Sequence, residues 1–287
     1  MGSFRQKVAV VTGAGSGIGR ALALALARRG ARLALSDIDE LGLAETDRLV
    51  TALGTAAHVQ RLDIADRAAV TAYADVVAAH FGAVHQVYNN AGIAFMRTVL
   101  DSDYADYERV LAVNLWGVIH GTKAFLPRLI ASGDGHVINI SSLNGYMAQG
   151  DISHYCTAKF AVRGFTESLR IEMLAAGHPV RVTCVHPGGV RTGIATHAIV
   201  HARAAGVPVG PEDLARERIY NEKLLKLGPD RAAETILDGV ARGEARVLVG
   251  NDARIADLLV RGFPTGYMRG VVAFARRLAA AARRGAP

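Results

Sequence analysis

Residues 8–19 read VAVVTGAGSGIG, a short β-branched run that stops in a glycine-rich turn and continues into a segment dense in alanine and leucine. The apolar run suits a buried strand, and Gly17 to Gly30 suits a helix ended by glycine. Glycines at this junction let the chain turn tightly and let a pyrophosphate approach the backbone. The helix start adds unbonded N–H groups and the positive end of its dipole. A glycine-rich string alone says little; its position at the first strand–helix junction gives it meaning.

Outward from that junction the alternation continues. Strands are expected at Arg32–Ser36, Val59–Leu62, Val84–Asn89, Gly135–Ser141, Val180–Val185 and Ala245–Val249. Helices are expected at Ala44–Leu53, Ala68–Phe81, Tyr104–Leu129 with a break near Pro127, Ser153–Ala176 and Pro229–Arg242. Apolar strands alternating with helices predict an α/β, Rossmann-type, doubly wound parallel sheet covered on both faces. One domain over residues 1–250 accounts for this pattern, with an excursion at 193–228 and a helical C-terminal extension at 251–287.

The composition of the 287 residues, 51% hydrophobic, allows a large core. Cys156 and Cys184 form neither a CxxC pair nor a metal-ligand spacing, so both read as small buried hydrophobes, and no metal is expected. The net charge is +7, but residues 254–287 hold seven Arg and one Asp, a net of +6, which leaves +1 for the rest. A general basic surface for nucleic acid is thereby excluded. The chain reaches its first strand without a secretory-type leader, and the run Ala21–Ala27 is far short of the roughly 20 apolar residues that span a bilayer. A soluble cytoplasmic protein is the expectation.

Several polar residues fall where such a fold binds ligands. Asp37, ending the second strand, can accept hydrogen bonds from both adenosine ribose hydroxyls and would repel a 2′-phosphate, which favours NAD over NADP. Arg20 and Arg32 read either as phosphate ligands or as solvated side chains. Asp63 reads as a partner for the adenine amino group or as a helix cap. Asn89-Asn90-Ala91-Gly92 closes the fourth strand at the carboxyl edge. Tyr155 and Lys159, four residues apart on a helix, share one face. A nearby ammonium favours the phenolate, so Tyr155 can exchange a proton with an alcohol oxygen. Ser142 can orient that oxygen, and Asn114, a polar amide amid Val113, Leu115 and Trp116, needs partners that a water relay to Lys159 would supply. Tyr146, Met147, Gln149 and His154 are pocket candidates. His154 reads as a surface or supporting group and His186 as structural.

Taken together, TGAGSGIG (12–19), Asp37, Asp63, NNAG (89–92), Asn114, Ser142, YCTAK (155–159) and HPGGVRT (186–192) resemble the compact branch of the short-chain dehydrogenase/reductase superfamily, over roughly residues 7–250. The resemblance implies a catalytic tetrad of Asn114, Ser142, Tyr155 and Lys159, with Ser142 rather than the adjoining Ser141. It implies cofactor contacts from Gly13, Ser16, Gly17, Ile18, Gly19, Asp37, Asp63, Ile64, Asn90, Ala91, Gly92, Tyr155 and Lys159, and from Pro187, Gly188, Val190 and Thr192 beside the nicotinamide. Ser142, Asn144, Gln149 and Tyr155 would face the substrate. Homotetramers or homodimers packed through the helices at 104–129 and 153–176 are also implied. The expected activity is hydride transfer between NAD(H) and a secondary alcohol or ketone; the alternative is an NAD(H)-binding sensor or scaffold without turnover.

Two regions leave readings open. The family places a substrate lid at 193–228. Its Ile194, Ile199, Val200, Val207, Val209, Leu214, Ile219, Leu224 and Leu225 suit a bulky hydrophobic substrate, or simply dock the lid on the body. In the extension, Ile255, Leu258 and Leu259 precede Pro264, and Met268, Val271, Val272, Ala275 and Leu278 follow it, with Arg269, Arg276, Arg277, Arg283 and Arg284 supplying charge. This segment could lie on an anionic membrane, pack on a neighbouring subunit or stay disordered.

Overall fold

Every residue of the first strand, β1 (Val8–Thr12), is buried, as the unbroken apolar run requires of a strand covered on both faces. In the computed structural model, which describes residues 4–204, 206 and 209–284, β1 lies inside a sheet of seven parallel strands. The others are β2 (Arg32–Asp37), β3 (Ala57–Arg61), β4 (Gln86–Asn89), β5 (Gly135–Ile140), β6 (Val180–Pro187) and β7 (Arg246–Val249). Their order is β3-β2-β1-β4-β5-β6-β7, so the winding reverses between β1 and β4 and opens a crevice at their carboxyl ends.

Side chains of β1 alternate between two cores, as the period of a strand demands. Ala9 and Val11 pack with Leu22 and Leu26 of α1 (Gly17–Arg28) and with Ile236 and Leu237 of α9 (Pro229–Arg242). Val10 points the other way, into a cluster with Tyr73 and Val77 of α3 (Arg67–Phe81) and Phe125 and Leu129 of α5 (Gly117–Ala131). The remaining helices are α2 (Glu40–Ala52), α4 (Tyr104–Leu111), α6 (Ser153–Ala175), α7 (Ile194–Ala204), α8 (Pro211–Ile219), α10 (Asn251–Gly262) and α11 (Tyr267–Arg284).

The long helix expected at 104–129 is broken, but not at Pro127. Pro127 stays inside α5, where both it and Lys123, whose carbonyl loses its usual donor, are exposed, so water can satisfy that group. The interruption is a π turn over Ala112–Trp116, between α4 and α5, and it carries Asn114. A π turn inserts one extra residue per turn and frequently marks a functional position.

The extension is ordered and lies on its own chain. α10 buries Ala253, Ala256 and Asp257; Asp257 pairs with Arg246 of β7 at 2.7 Å and with Arg261 at 3.0 Å. α11 packs against α8 of the excursion. Val207 lies outside the described residues, as do the side chains of Leu278, Arg283 and Arg284.

Candidate active site

At the winding reversal the glycine-rich turn is stitched to the end of β4. Gly13 has φ +66°, and a Cβ there would stand 2.7 Å from Ala91 Cα, so both conformation and space demand glycine. The Thr12 hydroxyl accepts from the backbone N–H of Asn90 at 3.1 Å and Ala91 at 3.2 Å. In return the Asn90 amide donates to the carbonyls of Thr12 at 2.9 Å and Gly13 at 3.1 Å. Thr12, within the quoted motif yet not singled out there, is the hinge of this arrangement.

The start of α1 is left open. Its N-cap Ser16 makes no side-chain cap and its first turn carries no acid, so N–H groups and the positive dipole end face the crevice. Asp37 is held in place: its Oδ2 accepts from Gly15 N at 2.7 Å and its Oδ1 from Asp39 N at 3.0 Å. Arg20 turns away from the crevice, donating to the Gly15 carbonyl, to the Gly42 carbonyl at 3.0 Å and to Thr46 at 2.9 Å. It braces the turn from behind, so neither the phosphate nor the solvated reading fits. Arg32 lies over the Phe81 ring at 4.8 Å. The cap of α3 is Asp66, bonded to Ala68 N at 2.8 Å and Ala69 N at 3.0 Å. Asp63 instead accepts from Ala65 N at 2.9 Å and borders the crevice.

On α6, Tyr155 and Lys159 come together as their spacing requires, with Lys159 Nζ 5.6 Å from the Tyr155 ring centre. Lys159 is 3% exposed and donates from Nζ to the Ile140 carbonyl at 2.9 Å. Burial pulls its ammonium down to about 8. Ser141 and Ser142 divide their tasks. The Ser141 hydroxyl donates to the Lys159 carbonyl at 2.8 Å, whereas Ser142 Oγ accepts from Asn144 N at 3.1 Å and borders the cavity with its proton still to give. His186 faces the Ser142 carbonyl through Nδ1 at 2.8 Å, and burial lowers its pKa to about 4.

Asn114 departs from expectation. Its amide is spent on Ile93, accepting from the backbone N–H at 2.8 Å and donating to the carbonyl at 2.8 Å. The π turn aims it inward, and it is 0% exposed, so its side chain needs no water partner. Its Oδ1 and Lys159 Nζ flank bare Gly92: a Cβ there would stand 3.2 Å and 3.6 Å from them. Two pocket candidates also move. Tyr146 is buried and donates to the Ala253 carbonyl at 2.5 Å. His154 is buried rather than on the surface; its Nδ1 accepts from Tyr155 N at 2.9 Å, and its ring packs on Phe95 and Tyr107.

One cavity of about 1370 Å³ runs from Asp37 past Tyr155 to the far helices. Single-ligand pockets hold about 300–1,000 Å³, so a dinucleotide and a second molecule can share this one. It is lined by Gly13, Ser16, Gly17, Ile18, Asp63, Ile64 and Asn90 to Gly92, by Ser142, Asn144, Met147, Gln149, Tyr155 and Lys159, and by Pro187, Gly188, Val190 and Thr192. Gly19 and Asn114 stand behind this wall.

The far end is apolar. Ile194, Val200, Leu224 and Leu225 of the excursion line it, while Val209 packs on the body beside Phe95, Val110 and Ala158. The excursion therefore both lines the cavity and docks on the body. Met96, Ala112, Val113 and Arg109 form the opposite wall, and Phe274 of α11 completes the end. Periodicity placed Phe274 on a helix; nothing local in the sequence pointed it at this cavity.

The short chain dehydrogenase family matches residues 7–201. A protein of Mycobacterium tuberculosis, SadH, whose activity is named no more closely than oxidoreductase, is 55% identical over 95% of this chain and 96% of its own length. Cis-4-hydroxycyclohexanecarboxylate dehydrogenase of Sinomonas cyclohexanicum is 36% identical over 80% of this chain and 92% of its own. A short-chain dehydrogenase/reductase of Burkholderia phymatum, solved in complex with NAD, superposes with a TM-score of 0.84 at 33% identity, covering 91% of this chain and 95% of that one. With the fold, the open helix start and the Tyr155–Lys159 face already in hand, the chain belongs to the short-chain dehydrogenases, oxidoreductases of CH–OH groups.

Proposed function

We infer that this chain transfers a hydride between NAD(H) and the carbinol carbon of a lipophilic secondary alcohol or its ketone. One observation carries the reading: Ser142, Tyr155 and Lys159 border the same cavity as the open start of α1 and the oriented carboxylate of Asp37. The Burkholderia relative, bound to NAD, and the Sinomonas relative, named for a ring alcohol, support it.

Asp37 would hold the adenosine ribose, the first turn of α1 the pyrophosphate, and Pro187, Gly188, Val190 and Thr192 the nicotinamide end. Bound there, NAD supplies the hydride acceptor. Tyr155 takes the alcohol proton in oxidation and returns it in reduction. Lys159, still an ammonium at neutral pH, favours the phenolate of Tyr155 and holds the nicotinamide ribose. Ser142 donates to the substrate oxygen as charge grows on it. Asn114 fixes Ile93 and the wall at Gly92 beside Lys159, and supports the proton relay by that positioning rather than by binding water through its side chain. Asn144 and Gln149 contact substrate beside Ser142. Ile194, Val200, Leu224, Leu225 and Phe274 give the substrate end its preference for apolar groups.

Exposed Tyr104, Trp116, Phe160, Ile171 and Leu174 lie on α4, the π turn and α6, and support assembly as a homotetramer or homodimer through those helices. Among the described residues no helix is long and apolar enough to cross a membrane, which agrees with action in the cytoplasm.

The test is turnover followed at the nicotinamide absorbance with steroid, terpene and long-chain secondary alcohols, each with NAD and NADP. NAD-dependent turnover of lipophilic alcohols is expected; activity confined to small polar alcohols or sugars overturns the substrate class, and NADP preference overturns the role of Asp37. Tyr155→Phe is expected to keep NAD binding and lose about 100- to 10,000-fold in kcat. Unchanged turnover in that variant removes Tyr155 from the chemistry. NAD binding by the unaltered chain with no turnover on any substrate favours the sensor instead.

A further inference from the structure

The hairpin of α10 and α11 presents two faces. α10 docks through Ala253, Ala256 and Asp257, and the opposite side of the same helix carries Ile255, Leu258 and Leu259, which are 58%, 70% and 46% exposed. Phe263, at the turn, is 64% exposed. α11 sets half-buried Tyr267 and Val271 toward the body by helical spacing, the Tyr267 hydroxyl accepts from Ala148 N at 3.2 Å, and Phe274, still 53% exposed, borders the cavity. Met268 and Val272, one step round the helix, stay outside. Six large apolar side chains exposed on two consecutive helices and the turn between them are the kind of surface that marks an interaction site.

Charge on the hairpin is sorted as sharply. Its two described acids are both already engaged: Asp252, exposed, accepts through Oδ2 from Gly189 N at 2.5 Å, and buried Asp257 is held by Arg246 and Arg261. Arg254, Arg269, Arg276 and Arg277 are exposed, and none has a carboxylate partner among the described residues. Apolar side chains flanked by unpaired arginines match an interface between acyl chains and anionic headgroups. A second copy of the same face matches poorly, because an isologous contact would set arginines against arginines.

We propose that the α10–α11 hairpin seats this protein on an anionic lipid bilayer with Ile255, Leu258, Leu259 and Phe263 in the interface. Ala256 of α10 and Phe274 of α11 line the substrate end of the cavity, so the two helices that would be seated also wall that end. A lipophilic alcohol dissolved in the bilayer then reaches Tyr155 without passing through bulk water. That delivery step rests on the substrate class proposed above; the seating itself does not.

The test is co-sedimentation of the full chain with vesicles of phosphatidylcholine alone or mixed with phosphatidylglycerol. Binding to the mixed vesicles only, weakening as salt is raised, is expected. Arg269→Gln, Arg276→Gln and Arg277→Gln combined should lower partitioning about 100-fold, given about 1 kcal/mol for each basic residue at such a surface. Leu258→Ser with Phe263→Ser should lower it too, with melting temperature and sedimentation coefficient in solution unchanged. A chain that stays in the supernatant with mixed vesicles overturns the proposal. So does a Leu258/Phe263 variant that keeps its lipid binding but falls to a smaller assembly, since the face then belongs to a second copy. The measurement uses no substrate, so failure of the substrate class leaves its outcome untouched.

Discussion

At the Asp37 end of the cavity the wall is backbone held by hydrogen bonds; at the Phe274 end it is apolar side chains held by packing. Gly13, Gly15, Asn90 and Asp37 lock each other at distances of 2.7–3.1 Å, within a stretch of sequence that crosses only the first four strands. Val200, Leu225 and Phe274 meet from three separate segments and are interchangeable in kind with many other apolar residues. The first construction tolerates almost no change and suits one fixed ligand. The second is shaped by volume and can be re-cut without disturbing the first.

Lys159 sits where the two constructions join and should give the largest effect. Lys159→Met removes the charge that favours the Tyr155 phenolate and the proposed hold on the ribose. Turnover should fall about 100- to 10,000-fold, the usual range for positioned acid–base groups. Its pH–rate profile, if any rate survives, should lose the limb that titrates near 8 in the free enzyme. Retention of that limb would assign it elsewhere.

Asp37→Ala probes the hydrogen-bonded end by itself. Bonds to a charged acceptor are worth about 1.5–3 kcal/mol each, so KM for NAD should rise at least about tenfold. With the carboxylate gone, discrimination against NADP should shrink as well. The kcat at saturating NAD and the KM of the alcohol should stay close to their starting values. A substrate KM that moves with the cofactor KM would show that the two ends are not separable.

This division also explains what the sequence could reveal. The glycine turn, Asp37 and Asn90 are written in short motifs because backbone geometry and local hydrogen bonds require those residue types at fixed offsets. Helical spacing puts Tyr155 and Lys159 on one face, but such a pair is common by chance and gains its meaning from the glycine turn, Asp37, Asn114 and Ser142 in order around it. The π turn at Ala112–Trp116 was not legible, since Val113 to Trp116 carries no proline or glycine to announce it, whereas Pro127 did announce a break and made none. The amide of Asn114 was read as needing partners, correctly, but Ile93 as the partner depends on a loop brought back from β4. For His154 the supporting reading holds and the surface one does not; which applies depends on Phe95 and Tyr107, which lie far from it in sequence. The place of Phe274 at the cavity and the bonds of Asp252 and Asp257 depend on the extension folding back on its own chain.

His186 lies at the seam and should show in stability. Burial holds its pKa to about 4 in the folded chain, against about 6.5 in an unfolded one. Between those values the unfolded chain binds the extra proton, so stability falls as pH drops from neutrality. At pH ~5.5 the loss assigned to this residue is about 1 kcal/mol. His136, held to about 3 by burial, adds to the same slope. His186→Asn keeps a donor for the Ser142 carbonyl and should flatten the urea-unfolding free energy between neutral pH and pH ~5.5 by about that amount. An unchanged slope would mean that His186 is already protonated in the folded chain.

The smallest effect belongs to the packed end. The Phe274 ring is 53% exposed, so only part of its area meets the cavity, and Phe274→Ala should cost well under the 3–5 kcal/mol of a fully buried ring. For a bulky apolar alcohol this appears as a rise in KM of a few-fold to about tenfold, the scale of one or two lost methylene contacts. For a small alcohol that never reaches α11, and for NAD, KM should not move. Phe274→Trp, which fills the end of the cavity, should reverse the ranking: bulky alcohols lose and shorter ones hold. If both substitutions change small and bulky substrates alike, the effect travels through the fold rather than through contact, and the far wall is as rigid as the Asp37 end.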